Sequence, residues 1–367
     1  MNTIAPPEFY CPFPSRLNPH AEAANRHTLA WVKRFNLVSD DREWRRLEAS
    51  KFSWLAARAY PDASSEGLNI VSDWNTWLFI RDDQCDESGF GRNPDKLAHF
   101  HDRLTEILTG REPDKTDLPL ARALHDLCAR LRRTANEAWM CRFILSVIEY
   151  FESSVWEAQN RAAEITPDPS TYVAMRPFTG GLYTDIELID IVENIDLPLH
   201  VRKHDVLQGL IRMANNVVCW SNDIISFAKE IQHHDVHNLV VTFQHHHHLS
   251  LQEAVQQAAE LTNKEVRDFI ALKEQLPAFE NGIDSDVQRF VSVLCSWMRG
   301  NLDWSYTSGR YAVSAVGEDP ACQSEKSALP VAFPRSNVID QAACRLGTLS
   351  ATDCQAERLR SFRSSII

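Results

Sequence analysis

Apolar residues recur at helical spacing along most of the chain. Residues 21–37 carry Ala24, Leu29, Trp31, Val32 and Phe35, and residues 41–58 carry Trp44, Leu47, Phe52, Leu55 and Ala56. Residues 67–87 are strongly apolar and end on an acidic cluster. Further helical stretches span 117–133, 135–164, 201–230, 250–275 and 284–307. Strand-like alternation and tight-hairpin dipeptides are nearly absent. The pattern predicts a single all-α domain of ten or more helices over residues 20–315, after an extended, proline-rich segment at 1–19.

Two interruptions stand out. Pro177, Gly180 and Gly181 lie inside apolar sequence and predict a broken or kinked helix there. Beyond about residue 315 the composition shifts toward Ser, Ala, Cys and Pro with weak periodicity, so 316–367 is expected to be a poorly ordered tail. The histidine run 245–248 falls at a helix boundary and reads as a surface feature.

The chain has 367 residues, 44% of them hydrophobic, enough for a large core. A net charge of −12 argues against nucleic-acid binding. It leaves room for an anionic substrate, because bound divalent cations reverse the local field. Nine cysteines, an odd number without a Cys-x-x-Cys pair, fit reduced thiols and a cytoplasmic protein. Cys85, inside the acidic cluster, reads as a packing residue. The N-terminus lacks the basic start and apolar run of a signal peptide, and no stretch approaches the length of a membrane span.

The most specific chemistry lies in Asn222, Ser226 and Glu230. At i, i+4 and i+8 they share one helix face, and three stacked oxygen donors suit a hard cation such as Mg²⁺. Lys229 borders that face. Upstream, Asp82 and Asp86 form a second i, i+4 pair, directly after the apolar run Trp77-Leu78-Phe79-Ile80. Carboxylates beginning where a helix is buried need partners, and metal is a natural one. Two such stripes on facing helices would hold a diphosphate through several Mg²⁺ ions. Asp83 points to another face and is expected to hold an arginine. Phe79 lies one turn deeper than Asp82 on the same helix. Trp74, Trp77, Trp139 and Trp220 read as core.

Taken together, Asp82-Asp83-x-x-Asp86, Asn222-Asp223-x-x-Ser226-x-x-Lys229-Glu230 and Arg310-Tyr311 resemble the motifs of class I terpene synthases of the bacterial and fungal single-domain type. Arg176, 46 residues before Asn222, matches the family's diphosphate-sensing arginine. Trp156-Glu157-x-x-Asn160-Arg161 and Asp235-Val236-His237-Asn238 also look familial. The resemblance covers residues 12 to 311. It implies a helical bundle around a central cavity and Mg²⁺-dependent loss of diphosphate from a prenyl diphosphate, followed by carbocation cyclisation. Three Mg²⁺ ions are implied, held by Asp82 and Asp86 and by Asn222, Ser226 and Glu230. Arg176, Lys229, Arg310 and Tyr311 would bind the diphosphate. Thr179 stands where many bacterial members have Asp, and with Gly180 it would couple diphosphate binding to ionisation. Phe79 and Trp304 would line the cavity and face the cation. Farnesyl diphosphate, giving a sesquiterpene, is the expected substrate on the habits of the family; geranyl and geranylgeranyl diphosphates are the alternatives. Dimers are common in the family, and these residues do not decide the oligomeric state.

Rival readings fit less of the chain. A chain-elongating prenyl diphosphate synthase usually shows two Asp-Asp-x-x-Asp motifs, and this sequence has one. A class II cyclase would need Asp-x-Asp-Asp, which is missing. A metal-dependent phosphohydrolase built on His233, His234, Asp235 and His237 lacks a matching His-Asp pair elsewhere. A non-catalytic helical scaffold explains the core but not the aligned metal stripes.

Overall fold

The computed structural model describes residues 7–87, 90–233, 235–279 and 282–311, with the backbone alone for Asp86, Glu87, Phe90 and His233. The segment expected to form a C-terminal tail lies outside them. Among the described residues there are fourteen α-helices and no strand. The first seven are α1 (Ala21–Phe35), α2 (Asp41–Ser50), α3 (Phe52–Ala59), α4 (Ser65–Glu87), α5 (Pro94–Leu108), α6 (Pro119–Leu131) and α7 (Glu137–Ala163). The rest are α8 (Pro169–Thr179), α9 (Leu182–Glu193), α10 (Leu199–Arg202), α11 (Asp205–Glu230), α12 (Leu239–His247), α13 (Leu251–Lys273) and α14 (Asp284–Thr307). No helix among the described residues is long and apolar enough to cross a membrane.

Local chemistry starts these helices where they start. Asn93 accepts from the Lys96 amide with Pro94 in the first turn of α5, Asn136 accepts from the Trp139 amide, and Ser250 and Glu253 form a reciprocal capping box on α13. Each such cap contributes about 1 kcal/mol. The expected break near Pro177 falls in the last turn of α8, and Gly181 takes the left-handed conformation (φ 70°) that opens α9. The exposed histidines 245–248 close α12, with His248 as a left-handed cap.

Two expected helices are each divided in two. Residues 41–58 break at Lys51, which adopts φ 51°, ψ 46° between α2 and α3. The carbonyls released there are satisfied from a distance. Trp304 Nε1 donates to Ser50 O (2.9 Å) and Lys51 O (3.1 Å), and Ser308 Oγ donates to Ser50 O (2.8 Å). Residues 201–230 divide at His204, whose side chain caps α11.

The core forms between these helices. Trp74, Trp77 and Trp139 are buried as expected, and each indole N–H has an acceptor: Thr184 Oγ1, Leu120 O and Glu187 O. Trp220 is buried too. The middle of the bundle opens into a cavity of about 270 Å³ walled by α4, α7, α9, α11 and α14.

Candidate active site

Asn75, Leu78, Phe79 and Asp82 all line the cavity from α4. Their spacing puts one side chain per turn down a single stripe. Asp82 is 52% exposed and marks the mouth, whereas Asn75 is buried and marks the depth. From α11, Asn222, Ser226, Lys229 and Glu230 line the same cavity, as do Arg176, Thr179 and Gly180 at the end of α8 and Arg310 and Tyr311 after α14. The metal and diphosphate residues expected from the sequence are thus gathered at one opening, apart from Asp86, whose side chain lies outside the described residues.

Asp83 holds arginine, as expected. It accepts from Arg310 Nη1 (2.9 Å) and Nη2 (3.0 Å), and from Lys229 Nζ (3.3 Å). These cations hold the Asp83 carboxyl far below its usual range against the opposing effect of burial. The same Arg310 lies over the rings of Phe79 (4.6 Å) and Phe52 (5.4 Å), which stack at 4.3 Å. One guanidinium therefore joins the acidic mouth to the aromatic wall.

Arg176 is fixed by a residue whose role the sequence did not disclose. Asp223 Oδ1 accepts from its Nε (2.8 Å), and Asp223 Oδ2 accepts from Tyr172 Oη (2.7 Å) and the Leu239 amide (3.1 Å). Arg176 Nη2 also reaches Asn222 Oδ1 (3.3 Å), and Nη1 reaches Thr179 Oγ1 (3.4 Å). Thr179 thus meets Arg176 as a neutral acceptor. Gly180 is required by space: a Cβ would overlap Cys219 Sγ and lie 3.2 Å from Arg176 Nη1.

Glu230 is flanked by negative charge. Burial, with Asp223 and Asp235 nearby, pushes its carboxyl up to about 7. Asn238 Nδ2 bonds it at 2.8 Å and the Asp223 carbonyl at 2.6 Å. Among the described residues no arginine or lysine pairs with it. Asp235 instead takes the cation: Arg161 donates to it twice (2.9 and 3.1 Å), and His237 lies between Asp235 and Asn160. The two segments singled out in the sequence around Asn160 and His237 therefore form one network, tying the end of α7 to the chain that follows α11.

Trp304 corrects an expectation. It is 1% exposed and is not among the residues lining the cavity. Its N–H is committed to the α2–α3 break, and its ring backs Phe79 (5.7 Å) and Tyr311 (5.6 Å). It supports the wall rather than forming it. Trp297, one helix turn pair earlier on α14, lines the cavity instead, together with Asn301, Tyr150 and Asp185. None of these carried a motif, so only the three-dimensional placement reveals them.

The donor set suits a hard cation. An amide oxygen, a hydroxyl and the unneutralised Glu230 carboxyl lie on one stripe of α11, with Asp82 on α4. All are oxygen ligands of the kind that hold Mg²⁺. Among the described residues no three His, Cys, Asp or Glu converge on one point, so the set depends on Asn222 and Ser226.

Known proteins resemble this chain over most of its length. The family model for terpene synthase family 2, C-terminal metal binding, matches residues 73–268. The chain is 41% identical over 303 residues to (+)-T-muurolol synthase ((2E,6E)-farnesyl diphosphate cyclizing) of Roseiflexus castenholzii, covering 82% of this chain and 92% of that one. It is 39% identical over 311 residues to germacrene A synthase of Nostoc punctiforme, covering 85% and 96%. Among solved structures, germacradien-4-ol synthase from Streptomyces citricolor superposes with a TM-score of 0.72 at 26% identity, covering 83% of this chain and 98% of that one. Linalool/nerolidol synthase from Streptomyces clavuligerus gives 0.73 at 26% identity, covering 81% and 100%. The chain belongs to the terpene synthase family and is a metal-binding lyase of that class.

Proposed function

We propose that the protein cyclises farnesyl diphosphate to a sesquiterpene with the help of three Mg²⁺ ions. The observation that carries this reading is the division of one cavity into two chemistries. Oxygen ligands and cations gather at its mouth, while Leu55, Leu78, Phe79, Leu182, Val218 and Trp297 give the same cavity an apolar lining. An allylic diphosphate with a long hydrocarbon tail is the substrate shape that uses both. The Roseiflexus relative is named for cyclising (2E,6E)-farnesyl diphosphate, which favours farnesyl over shorter or longer chains.

Asp82, Asp86, Asn222, Ser226 and Glu230 would hold the metal. When bound, Mg²⁺ supplies Lewis-acid stabilisation of the departing diphosphate. Arg176, Lys229, Arg310 and Tyr311 would donate to the diphosphate oxygens, the arginines through paired N–H groups. Asp223 keeps Arg176 aimed at the mouth. The allylic C–O bond then breaks heterolytically, both electrons leaving with the diphosphate, and stabilising that anion is the main task of the site. The apolar wall excludes water from the carbocation, and Phe79 presents a π face to it. The described cysteines are not joined in disulfides, which fits work in the cytoplasm.

The test is gas chromatography with mass spectrometry of products from farnesyl, geranyl and geranylgeranyl diphosphates. A cyclic C15 product formed only with Mg²⁺ supports the reading. Turnover confined to another chain length, or elongation with isopentenyl diphosphate, refutes it.

A further inference from the structure

Helix α9 carries four acidic residues that are buried or nearly so: Asp185, Glu187, Asp190 and Glu193. Three are neutralised by arginines. Glu187 and Asp190 pair with Arg142 (3.2 and 2.9 Å) and Arg202, and Glu193 pairs with Arg289. Asp185 is different. It is 3% exposed, and among the described residues no cation pairs with it. Among the described residues its one side-chain hydrogen bond comes from Asn75 Nδ2, at 3.1 Å from Oδ1, which leaves Oδ2 without a hydrogen-bond partner among them. Both Asp185 and Asn75 line the cavity.

Its depth follows from its partner. Asn75 precedes Asp82 by seven residues on α4, so it sits about 10 Å further along the helix axis. Asp185 is therefore a carboxyl group at the hydrocarbon end, away from the metal ligands. The neighbourhood keeps it in place: Tyr60 Oη donates to the Asp185 carbonyl (2.6 Å), and Asn75 is itself anchored to Val71 O (2.9 Å). An unpaired buried carboxyl is costly when ionised, and burial pushes Asp185 well above the usual carboxylate range. It thus enters the reaction with its proton.

We propose that Asp185 is a catalytic proton-transfer residue of the cyclisation, acting on the carbon skeleton after the diphosphate has left. The inference rests on the reading of the site given above. A carbocation first loses a proton to an oxygen of the departed diphosphate, and the C–H electron pair becomes a double bond of a neutral cyclic polyene held in the cavity. The Asp185 O–H then donates its proton to a carbon–carbon double bond. The π electrons form the new C–H bond, the neighbouring carbon becomes cationic, and Asp185 is left as a carboxylate. After further ring closure that carboxylate removes a proton from a different carbon. The C–H pair becomes the product double bond, and Asp185 regains its starting state. No co-reactant is consumed. Asn75 steadies the carboxylate while it exists by donating to Oδ1.

The test is turnover of farnesyl diphosphate and Mg²⁺ by the full-length protein in D₂O, with product mass spectra and, separately, inorganic diphosphate release. Asp185 exchanges with solvent between turnovers, so the wild-type product should carry one deuterium on carbon. In Asp185→Asn the labelled product should fall by about 100-fold, the loss expected for a general acid, with less cyclised, unlabelled hydrocarbon in its place. Asp185→Glu should restore labelling in part. Unlabelled wild-type product overturns the proposal even if the Asn variant fails to fold. Labelled product from a folded Asp185→Asn variant overturns it too. Diphosphate release from farnesyl diphosphate by the wild type reports on the parent reading alone: its absence would sink that reading, whereas release with unlabelled product sinks only the role of Asp185.

Discussion

Gly180→Ala puts the coupling between the helix break and the diphosphate site to a quantitative test. The added Cβ would overlap Cys219 Sγ, so the thiol must turn to another rotamer and give up its hydrogen bond to Asn215 Oδ1 (3.1 Å). That bond contributes about 0.5–1.5 kcal/mol. Overpacking a buried site adds about 1–3 kcal/mol. The sum, about 1.5–4.5 kcal/mol, corresponds to a Tm lower by about 2–6 °C for a chain of 367 residues. The Cβ also lies 3.2 Å from Arg176 Nη1, so the guanidinium must shift. Displacing such a group can reduce turnover by up to about 100-fold. Adding Cys219→Ala separates the two effects. The double variant should recover much of the lost Tm, because the sulfur is gone, but little of the turnover, because the Arg176 contact remains. Circular-dichroism melts and a diphosphate-release assay measure both. A Gly180→Ala variant that melts and turns over like the wild type would refute the reasoning.

Other perturbations address single links. Asp223→Ala strips the buried Arg176 of its carboxylate and should cost about 3–5 kcal/mol in urea unfolding; a loss under about 1 kcal/mol would remove Asp223 as its anchor. Burial, with Asp223 and Asp235 nearby, pushes the Glu230 carboxyl from its ordinary 4.5 up to about 7 in the metal-free fold, so ionising it opposes folding. Stability of the metal-free protein should therefore fall as pH rises from about 4.5 to about 7 and level off above that, by at most about 3 kcal/mol in all, with Mg²⁺ reversing the loss and Glu230→Gln flattening it. Equal pH slopes for wild type and Glu230→Gln would contradict this. Phe79→Ala should change product ratios, whereas Trp304→Phe should lower Tm through loss of its two carbonyl contacts and leave the ratios alone; the opposite pattern would return Trp304 to the cavity wall.

The residues that were legible in advance are those whose chemistry repeats with the helix. Asn222, Ser226 and Glu230 declare a shared face by spacing alone, and Asp83 was separable from Asp82 because adjacent residues lie about 100° apart on a helix. The α2–α3 break was not legible, since Lys51 carries no Gly or Asn signal for its left-handed backbone and is held by Trp304, some 250 positions away. That same contact explains the misplacement of Trp304: periodicity assigns a face but not the neighbour that claims it. The nine-residue α12 was overlooked because few turns give a weak period, but α5 is 15 residues long, as long as α1, and its apolar spacing through Leu97, Leu104, Ile107 and Leu108 was legible. On α9 the four acids look alike in sequence. Only the positions of Arg142, Arg202 and Arg289, brought in from other helices, show that Asp185 has been left unpaired.

The most direct test of the central claim is a crystal structure of the protein with Mg²⁺ and inorganic diphosphate. The account predicts metal density bounded by Asp82 on α4 and by Asn222, Ser226 and Glu230 on α11, with the diphosphate contacted by Arg176, Lys229 and Arg310. Diphosphate bound elsewhere, or those oxygen ligands turned to solvent without metal at saturating Mg²⁺, would contradict it.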